Sequence, residues 1–501
     1  MTQIPTTDHS WPIRMVMLDA ARFTEPYAYY QQLIPSLAEW GYNTILLHLT
    51  DDQGCAVRLE HPRVLPTAGA FTPDQWRSLA ELAADHGFTV IPEIECLGHT
   101  GCLTRLPEYA ELREPPYGGG HFWSISPTHP DTLKVIRALL TSIATIFDSP
   151  YVHIGMDEAD IGGSPRSREV LQNKPLWRLF GDYTLEVDAI VRGLGRRTML
   201  WGDHLFKEPA LADMLPRDMI ICNWLYGRGH REDYISSTQF FLERGFQVVG
   251  CPAGCWWGTL FVPHADNLAN IADFDLACRS LAHPNVLGMG VTMWCPYRHL
   301  PATTLPIMHY AGRAFAGGKH DIQRAMARFV AERFGLQDTP LELATDALTN
   351  LHVSRQRNML EQALLSGAPQ QWAGRGDELN AYHAVAEAAE SALRIAADSV
   401  LDHAAEFEQW QVTARTMREL AAWGLDHLAG EQSASLAERA AALAANYERV
   451  WRDQRAYAGT EADEPALGQT PRAQPDTDIL LELLRGLASP GEPNAAGGAS
   501  L

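Results

Sequence analysis

The stretch Tyr151-Val152-His153-Ile154-Gly155-Met156-Asp157-Glu158 runs from a short apolar segment into two adjacent carboxylates. Alternation over its first four residues predicts a strand, Gly155 permits close backbone approach, and the two acids fall where that strand should end. Neighbouring acids repel, so each resists losing its proton while the other is charged, and one of them is a candidate acid at neutral pH. Paired carboxylates of divided acidity are the equipment of glycoside cleavage. Successive residues of a regular strand face opposite ways, so both acids serve one pocket only if the backbone twists as the strand opens into a loop. An isolated Asp-Glu pair is ordinarily a solvated one, and the surroundings have to decide.

On either side of this stretch, from Arg14 to about Ala316, short apolar runs alternate with amphipathic segments, the pattern of βα units around a parallel sheet. Strands are predicted at Arg14–Asp19, Asn43–Leu49, Thr89–Glu95, Tyr151–Gly155, Arg197–Trp201, Met219–Asn223, Gln247–Gly250 and Val286–Thr292. Helical spacing marks Pro26–Trp40, Pro73–His86, Pro130–Phe147, Tyr183–Leu194 and Asn267–Leu281, three of which open with proline near the first turn. The fold class is therefore α/β, a (β/α)8 TIM barrel. Beyond Gly317-Gly318 the composition shifts to alanine, leucine, glutamate and arginine. Helices are expected at Asp321–Phe334, Leu341–Leu365, Asp377–Leu401, Glu406–Leu428 and Ser435–Tyr457. The expected division is a short extension (1–13), the barrel (14–316), an α-helical C-terminal domain (317–458) and a tail (459–501). That tail is rich in Pro, Gly and acidic residues apart from an apolar helix at Ile479–Leu487, and is expected to be largely disordered.

With 46% hydrophobic and 20% charged residues in 501, the chain has ample material for a large core. A formal charge of −21 with no basic stripe excludes nucleic acid and anionic membrane surfaces as partners. The opening residues MTQIPTTDHSWPIRMVMLDAARFTE have neither a basic n-region nor a sustained apolar h-region, so a cytoplasmic location is expected. Eight cysteines lie scattered, without paired CxxC spacing, and the CxxxC of Cys251 and Cys255 has no second ligand pair to make a zinc site. Apolar faces on the C-terminal helices would serve a homodimer or simply cover the barrel.

In such a barrel the chemistry sits at the carboxyl ends of the strands. Polar and aromatic residues collect there: Asp19 and Arg22 after the first strand, His48, Asp51 and Asp52 after the second, Glu93, Glu95 and His99 after the third. His153, Asp157 and Glu158 belong to the fourth, Trp201 and Asp203 to the fifth, and Trp224 and Tyr226 to the sixth. Trp256 and Trp257 follow the seventh, and Trp294, Tyr297 and Arg298 the eighth. Any one tryptophan could cap the barrel core, but tryptophans after four successive strands form a wall on which a pyranose ring could stack. A lone Arg22 is ordinarily a surface ion pair and a lone His99 a core histidine; both gain weight from sharing this rim.

These segments resemble glycoside hydrolase family 20, the β-N-acetylhexosaminidases. The resemblance is carried by Leu18-Asp19-Ala20-Ala21-Arg22, His48-Leu49-Thr50-Asp51-Asp52-Gln53-Gly54, Ile91-Pro92-Glu93-Ile94-Glu95 with Gly98-His99-Thr100, and His153-Ile154-Gly155-Met156-Asp157-Glu158, all in the family's order. Trp224-Leu225-Tyr226 and Met293-Trp294-Cys295-Pro296-Tyr297-Arg298 look like the branch that contains hexosaminidase D. Secreted members instead carry Asp-x-Tyr and Trp-x-Glu, so Pro296 stands where their sugar-binding glutamate would be, and Met156 stands where glycine or a small residue is common.

The resemblance implies an exo-acting, retaining enzyme in which the substrate's own 2-acetamido oxygen attacks the anomeric carbon. Glu158 would be the general acid and then base, Asp157 would hold the acetamido N–H, and Tyr226 would bond the acetamido oxygen. Arg22 would bind ring hydroxyls, His99, Asp52 and His153 would support the acid pair, and Trp201, Trp224 and Trp294 would enclose the sugar. The implied partner is an oligosaccharide ending in β-linked GlcNAc or GalNAc, and the implied chemistry needs no cofactor and no metal. Two alternatives remain open. One is a hydrolase or transferase on the same barrel acting on a modified or non-acetylated amino sugar; the other is a non-catalytic carbohydrate-binding homologue.

Overall fold

In the computed structural model, residues 10–116, 123–227, 231–256, 259–353, 360–361, 363–364, 372–430 and 434–455 are described. The tail expected to be disordered, with its helix at Ile479–Leu487, lies outside them. Eight parallel strands close the barrel: β1 (Ile13–Asp19), β2 (Thr44–His48), β3 (Thr89–Glu93), β4 (Tyr151–His153), β5 (Arg197–Trp201), β6 (Ile220–Trp224), β7 (Gln247–Cys251) and β8 (Val286–Met293), with the short strand Ala253–Cys255 added to the same sheet along β8. Each pairs with the next, and β8 pairs back with β1 from Ile13↔Gly288 to Leu18↔Met293, so the barrel closes and leaves no edge. The α/β barrel expected from the sequence is the observed fold.

Alternation along the strands builds two apolar layers. Met15, Met17, Leu46, Ile91, Met199, Ile220 and Val249 fill the interior, while Val16, Leu18, Ile45, Leu47, Leu200, Ile221 and Val248 face the surrounding helices. Burial on both faces is why these strands read as continuous apolar runs rather than as polar-apolar alternation.

The helical ring begins with α1 (Tyr27–Glu39), α2 (Pro73–Asp85), α3 (Thr132–Ala144) and α4 (Leu176–Gly193), and continues with α5 (Arg231–Glu243), α6 (Ala265–Leu281) and α7 (Leu305–Phe315). α2 shows why the boundaries were legible: Thr72 and Gln75 form a reciprocal capping box around Pro73 at the first helical position. α4 starts at Leu176, well before the predicted Tyr183, because the buried stripe of Leu179, Phe180 and Tyr183 extends the apolar face toward its N-terminus. α5 and α7 were not predicted. Ten of the eleven residues of α7 are buried, and Pro306 and Gly312 within it weigh against a helix when the sequence is read alone.

Beyond the barrel, helices occupy Ile322–Phe334, Asp338–Val353, Gly376–Ala396, Ala404–Leu428 and Ala434–Arg455. They continue the outer apolar layer of the barrel as one cluster. Gln409 accepts a buried hydrogen bond from the Ala302 N–H at 2.9 Å, and Arg333 joins Glu406 to the Ser36 hydroxyl of α1 at 2.9 Å. These helices pack on the face between β8 and α1. Among the described residues no helix is long and apolar enough to cross a membrane.

Candidate active site

Two residues past the end of β4 the chain abandons strand geometry. Gly155, Met156 and Glu158 take φ of 67°, 81° and 48°, which is the twist needed to bring successive side chains to one side. A Cβ on Gly155 would lie 2.0 Å from Glu95 Oε2, and one on Gly98 would lie 2.3 Å from the Asp157 carbonyl oxygen, so both approaches require glycine. Met156 pays for its left-handed backbone by packing in the core, where it is 1% exposed. As a result one imidazole edge meets both acids: His99 Nε2 is 4.0 Å from Asp157 Oδ2 and 3.3 Å from Glu158 Oε2. Asp157 and Glu158 therefore share a pocket.

Their environments differ. Asp157 is buried, and its carboxyl is pushed up to about 6 by that burial first, with His99 opposing and Asp203 and Glu158 adding to the rise. The Glu158 side chain is 34% exposed and opens to solvent. One acid is thus enclosed and the other reaches outward, the asymmetry that separate duties for the two would need.

The far edge of His99 is tied to aspartates, with Nδ1 3.6 Å from Asp52 and 3.7 Å from Asp51. Burial opposes a charge on His99, but Asp51, Asp52 and Glu158 together outweigh it, and its pKa stands well above the ordinary histidine value. Asp52 is fixed by the backbone N–H groups of Gly101 (3.1 Å) and Trp123 (3.3 Å). Asp51 is buried, yet Arg22, His99 and His48 hold it well below the usual carboxylate range. Arg22 forks between Asp19 (3.0 Å) and Asp51 (2.8 Å), with its guanidinium carbon 5.1 Å from the Trp294 ring centre. This rigid fork presents Arg22 at the pocket rather than to bulk water.

Trp294 donates its indole N–H to the Tyr226 hydroxyl at 2.8 Å, and the Thr292 hydroxyl donates to the same oxygen at 3.2 Å. The Trp224 ring lies 5.0 Å from that of Tyr226 at 35°. These three aromatics cluster at the carboxyl ends of β6 and β8. Trp201 and His153 stand one layer lower: Trp201 is 1% exposed and donates to Glu93 Oε1 at 2.6 Å, and His153 packs on it with ring centres 4.5 Å apart. His153 Nδ1 accepts the Gly155 N–H at 3.1 Å and so helps set the turn that carries the acids. Trp201 therefore supports the wall from below through Trp294, 6.0 Å away, rather than offering an open face. Tyr297 is buried, while Trp257 and the Arg298 side chain lie outside what is described.

Among the described residues three groupings bring ligating atoms within 4.8 Å of one another, namely His48-Glu93-Glu95, Asp51-Asp52-His99 and His99-Asp157-Glu158. In each the histidine is already engaged with a carboxylate of its own group, as in the 3.1 Å contact of His48 with Glu93. The groupings read as acid–histidine pairs whose charges offset one another.

Residues 11–260 match the profile described as the glycosyl hydrolase family 20 catalytic domain. The chain belongs to glycosyl hydrolase family 20. It is 28% identical over 246 residues to a β-hexosaminidase of Vibrio furnissii, covering 42% of this chain and 39% of that one. To a β-N-acetylhexosaminidase of Cellulomonas fimi it is 31% identical over 168 residues, covering 30% and 33%. The chain thus spans well under half the length of these two curated relatives. Among solved structures, the chitobiase of Flavobacterium johnsoniae aligns with a TM-score of 0.52 at 18% identity, over 95% of this chain and 78% of that one. A family 20 exo β-N-acetylglucosaminidase of Vibrio harveyi in complex with N-acetylglucosamine aligns with a TM-score of 0.50 at 22% identity, over 64% and 57%. At these identities the likeness speaks for the shared barrel.

Within this family 20 barrel, four residues met first as strand-end polar groups have no role in the sequence reading, yet they border the acid pair or the groups that support it. Asp203 Oδ2 sits 3.5 Å from the Glu158 backbone N and 3.0 Å from Lys207 Nζ. Glu93 is buried and accepts from Trp201 while facing His48 and His153, which hold it below its ordinary value against the effect of burial. His48, between Glu93 and Asp51, is raised to about 10 because these carboxylates outweigh its desolvation. Glu95 is buried beside Gly155. Their common signal was position: each lies within two residues of a strand's carboxyl end.

Proposed function

We propose that this pocket hydrolyses terminal β-linked N-acetylhexosaminides with retention, one residue at a time from the non-reducing end. The observation that carries this is the contact of His99 with both Asp157 and Glu158, at the same barrel end as the hydrogen-bonded Tyr226–Trp294 pair. A carboxylate nucleophile is not required if the substrate's acetamido oxygen closes on the anomeric carbon while the glycosidic C–O bond breaks. Glu158, the more open acid, gives its proton to the departing oxygen and later takes one from the incoming water. Asp157, enclosed beside it, accepts the acetamido N–H and balances the positive charge of the oxazolinium ring. Tyr226 accepts the Trp294 indole N–H on its oxygen, and its own O–H donates to the acetamido oxygen. Arg22 reads ring hydroxyls, and Trp224 and Trp294 cover the acetamide and sugar faces.

The test is Glu158→Gln assayed with an aryl β-N-acetylhexosaminide alongside ligand binding by calorimetry. Hydrolysis is expected to fall by about 10²-fold or more with binding retained; turnover at the wild-type rate would end the assignment.

A second reading has one specific motive, Pro296, which stands where secreted relatives of this type carry a sugar-binding acid. The pocket would then take a modified or non-acetylated amino sugar. Parallel assays on GlcNAc, GalNAc and glucosamine aryl glycosides separate the two, since the acetamido-assisted route gives no turnover of the free amine. Trp224-Leu225-Tyr226 supports the branch containing hexosaminidase D. All eight cysteines are free and buried, which supports a reducing, cytoplasmic compartment.

A further inference from the structure

Directly below the acid pair lies a carboxyl group that the proposed chemistry does not use. Glu95 is 1% exposed, and neither carboxyl oxygen has a hydrogen-bond partner among the described residues. Its Oε2 rests on the Cα side of Gly155, in the turn that carries Asp157, and its backbone N–H is held by the Thr50 hydroxyl at 2.8 Å. An ionised carboxylate in such a place would bear the full cost of desolvation.

The neighbouring groups show which acid is left uncompensated. Glu95, Glu93 and His48 bring ligating atoms within 4.8 Å of one another. Glu93 takes the Trp201 N–H at 2.6 Å and faces His48 at 3.1 Å and His153 at 3.5 Å. Asp51 takes Arg22 at 2.8 Å and His48 at 2.9 Å. Among the described residues the Trp201 N–H, the Arg22 fork and the Nε2 edge of His48 are thus taken by Glu93, Asp19 or Asp51, whereas no cation lies in ion-pair contact with Glu95, and Asp157 Oδ1 is also buried without a partner. Asp157, Glu93 and Asp51 all press Glu95 toward its neutral form beyond what burial does, His99 alone opposes them, and the thiols of Cys96 and Cys102 complete the charged and titratable surroundings.

We propose that Glu95 is a positioning residue that stays a neutral carboxylic acid through the working pH range, limiting the negative charge beneath the turn so that Asp157 can be the anion facing the substrate amide. The inference rests on the hexosaminidase reading for its consequence in catalysis, but the protonation state it asserts is independent of activity. No bond is made or broken at Glu95. Its carboxyl fills the space against Gly155 and keeps its proton while Asp157 gives one up.

The experiment is Glu95→Gln in the full-length protein, with three readouts. Infrared difference spectra between wild type and variant at neutral pH are expected to show the carbonyl stretch of one protonated carboxyl lost on substitution; a carboxylate band lost instead overturns the proposal, whatever the activity. Glu95→Gln is expected to unfold at the same temperature as wild type or higher above neutral pH, because wild type is increasingly penalised there for a buried group that would ionise when unfolded. A variant that melts lower or fails to fold overturns the proposal too, since the amide is a neutral isostere of a neutral acid. If the activity reading is right, kcat at the optimum stays within about threefold and the alkaline limb of its pH profile extends by about one unit or more. A loss as large as that of Asp157→Asn with an unmoved limb means that Glu95 acts as an anion. The expected infrared loss and melting behaviour with no hydrolysis in either protein overturn the hexosaminidase reading and leave the protonation of Glu95 standing.

Discussion

His99 lies between two pairs of acids, its Nε2 3.3 Å from Glu158 and its Nδ1 3.6 Å from Asp52. A histidine so placed orients the acid it touches, because rotation of Glu158 away from the pocket breaks a charge-assisted contact with a buried imidazole. His99→Gln is expected to lower kcat by about 10²-fold with KM changed by less than about threefold. Adding the same substitution to Glu158→Gln should cost little more, since the two act as a unit. Steady-state kinetics on the four proteins checks this, and additive losses would show that His99 serves something other than Glu158.

Asp157 titrates at about 6 in the folded protein against an ordinary value of 3.8. An acid whose pKa is raised on folding favours the native state most below the unfolded value, and that contribution is lost as pH rises through the folded value. Stability is therefore expected to fall between about pH 4 and pH 6 from this group, while activity rises over the upper part of the same window as Asp157 ionises. Asp157→Asn should flatten the melting temperature across the window and remove the acid limb of what activity remains. Thermal unfolding as a function of pH decides it: an unchanged slope in the variant places the titration elsewhere.

The Tyr226 hydroxyl accepts from Trp294, which is nearly buried, so its removal has two separable effects. Tyr226→Phe leaves the indole N–H without an acceptor, at a cost to stability of about 1–3 kcal/mol. It also removes the donor assigned to the acetamido oxygen, and kcat should fall by about 10²–10³-fold. Chemical denaturation and hydrolysis of an aryl glycoside measure the two; a stability loss alone would leave Tyr226 as a support for Trp294.

What the sequence made legible follows physical type. The eight strands were readable because both of their faces are apolar and each ends in polar residues, and the closing contact from Ile13↔Gly288 to Leu18↔Met293 follows once eight such strands are counted. The helix Leu305–Phe315 was hidden because Pro306 and Gly312, residues that break helices elsewhere, fall within its eleven residues. At the site, adjacency of Asp157 and Glu158 was visible, but their convergence depends on positive φ at Met156 and Glu158, residue types that give no local signal for it. Glu95 and Asp203 could be located by strand position. Their significance came only from seeing which donors were already taken.

Met156 gives the last prediction because two costs there oppose each other. Its φ of 81° is a conformation that costs a non-glycine residue about 1–2 kcal/mol, and its side chain is buried at 1% exposure. Truncating a buried methionine costs about 2–5 kcal/mol. Met156→Ala loses the packing and keeps the strain; Met156→Gly loses the packing and relieves it. The glycine variant should therefore be the more stable of the two by about 1 kcal/mol, the reverse of the order expected at an ordinary position, where glycine is the more costly residue. Hydrolysis should follow the same order, because the turn at Met156 aims both acids. Urea unfolding of the two variants is the measurement, and an alanine variant more stable than the glycine one would mean that the turn is not held against strain at this residue.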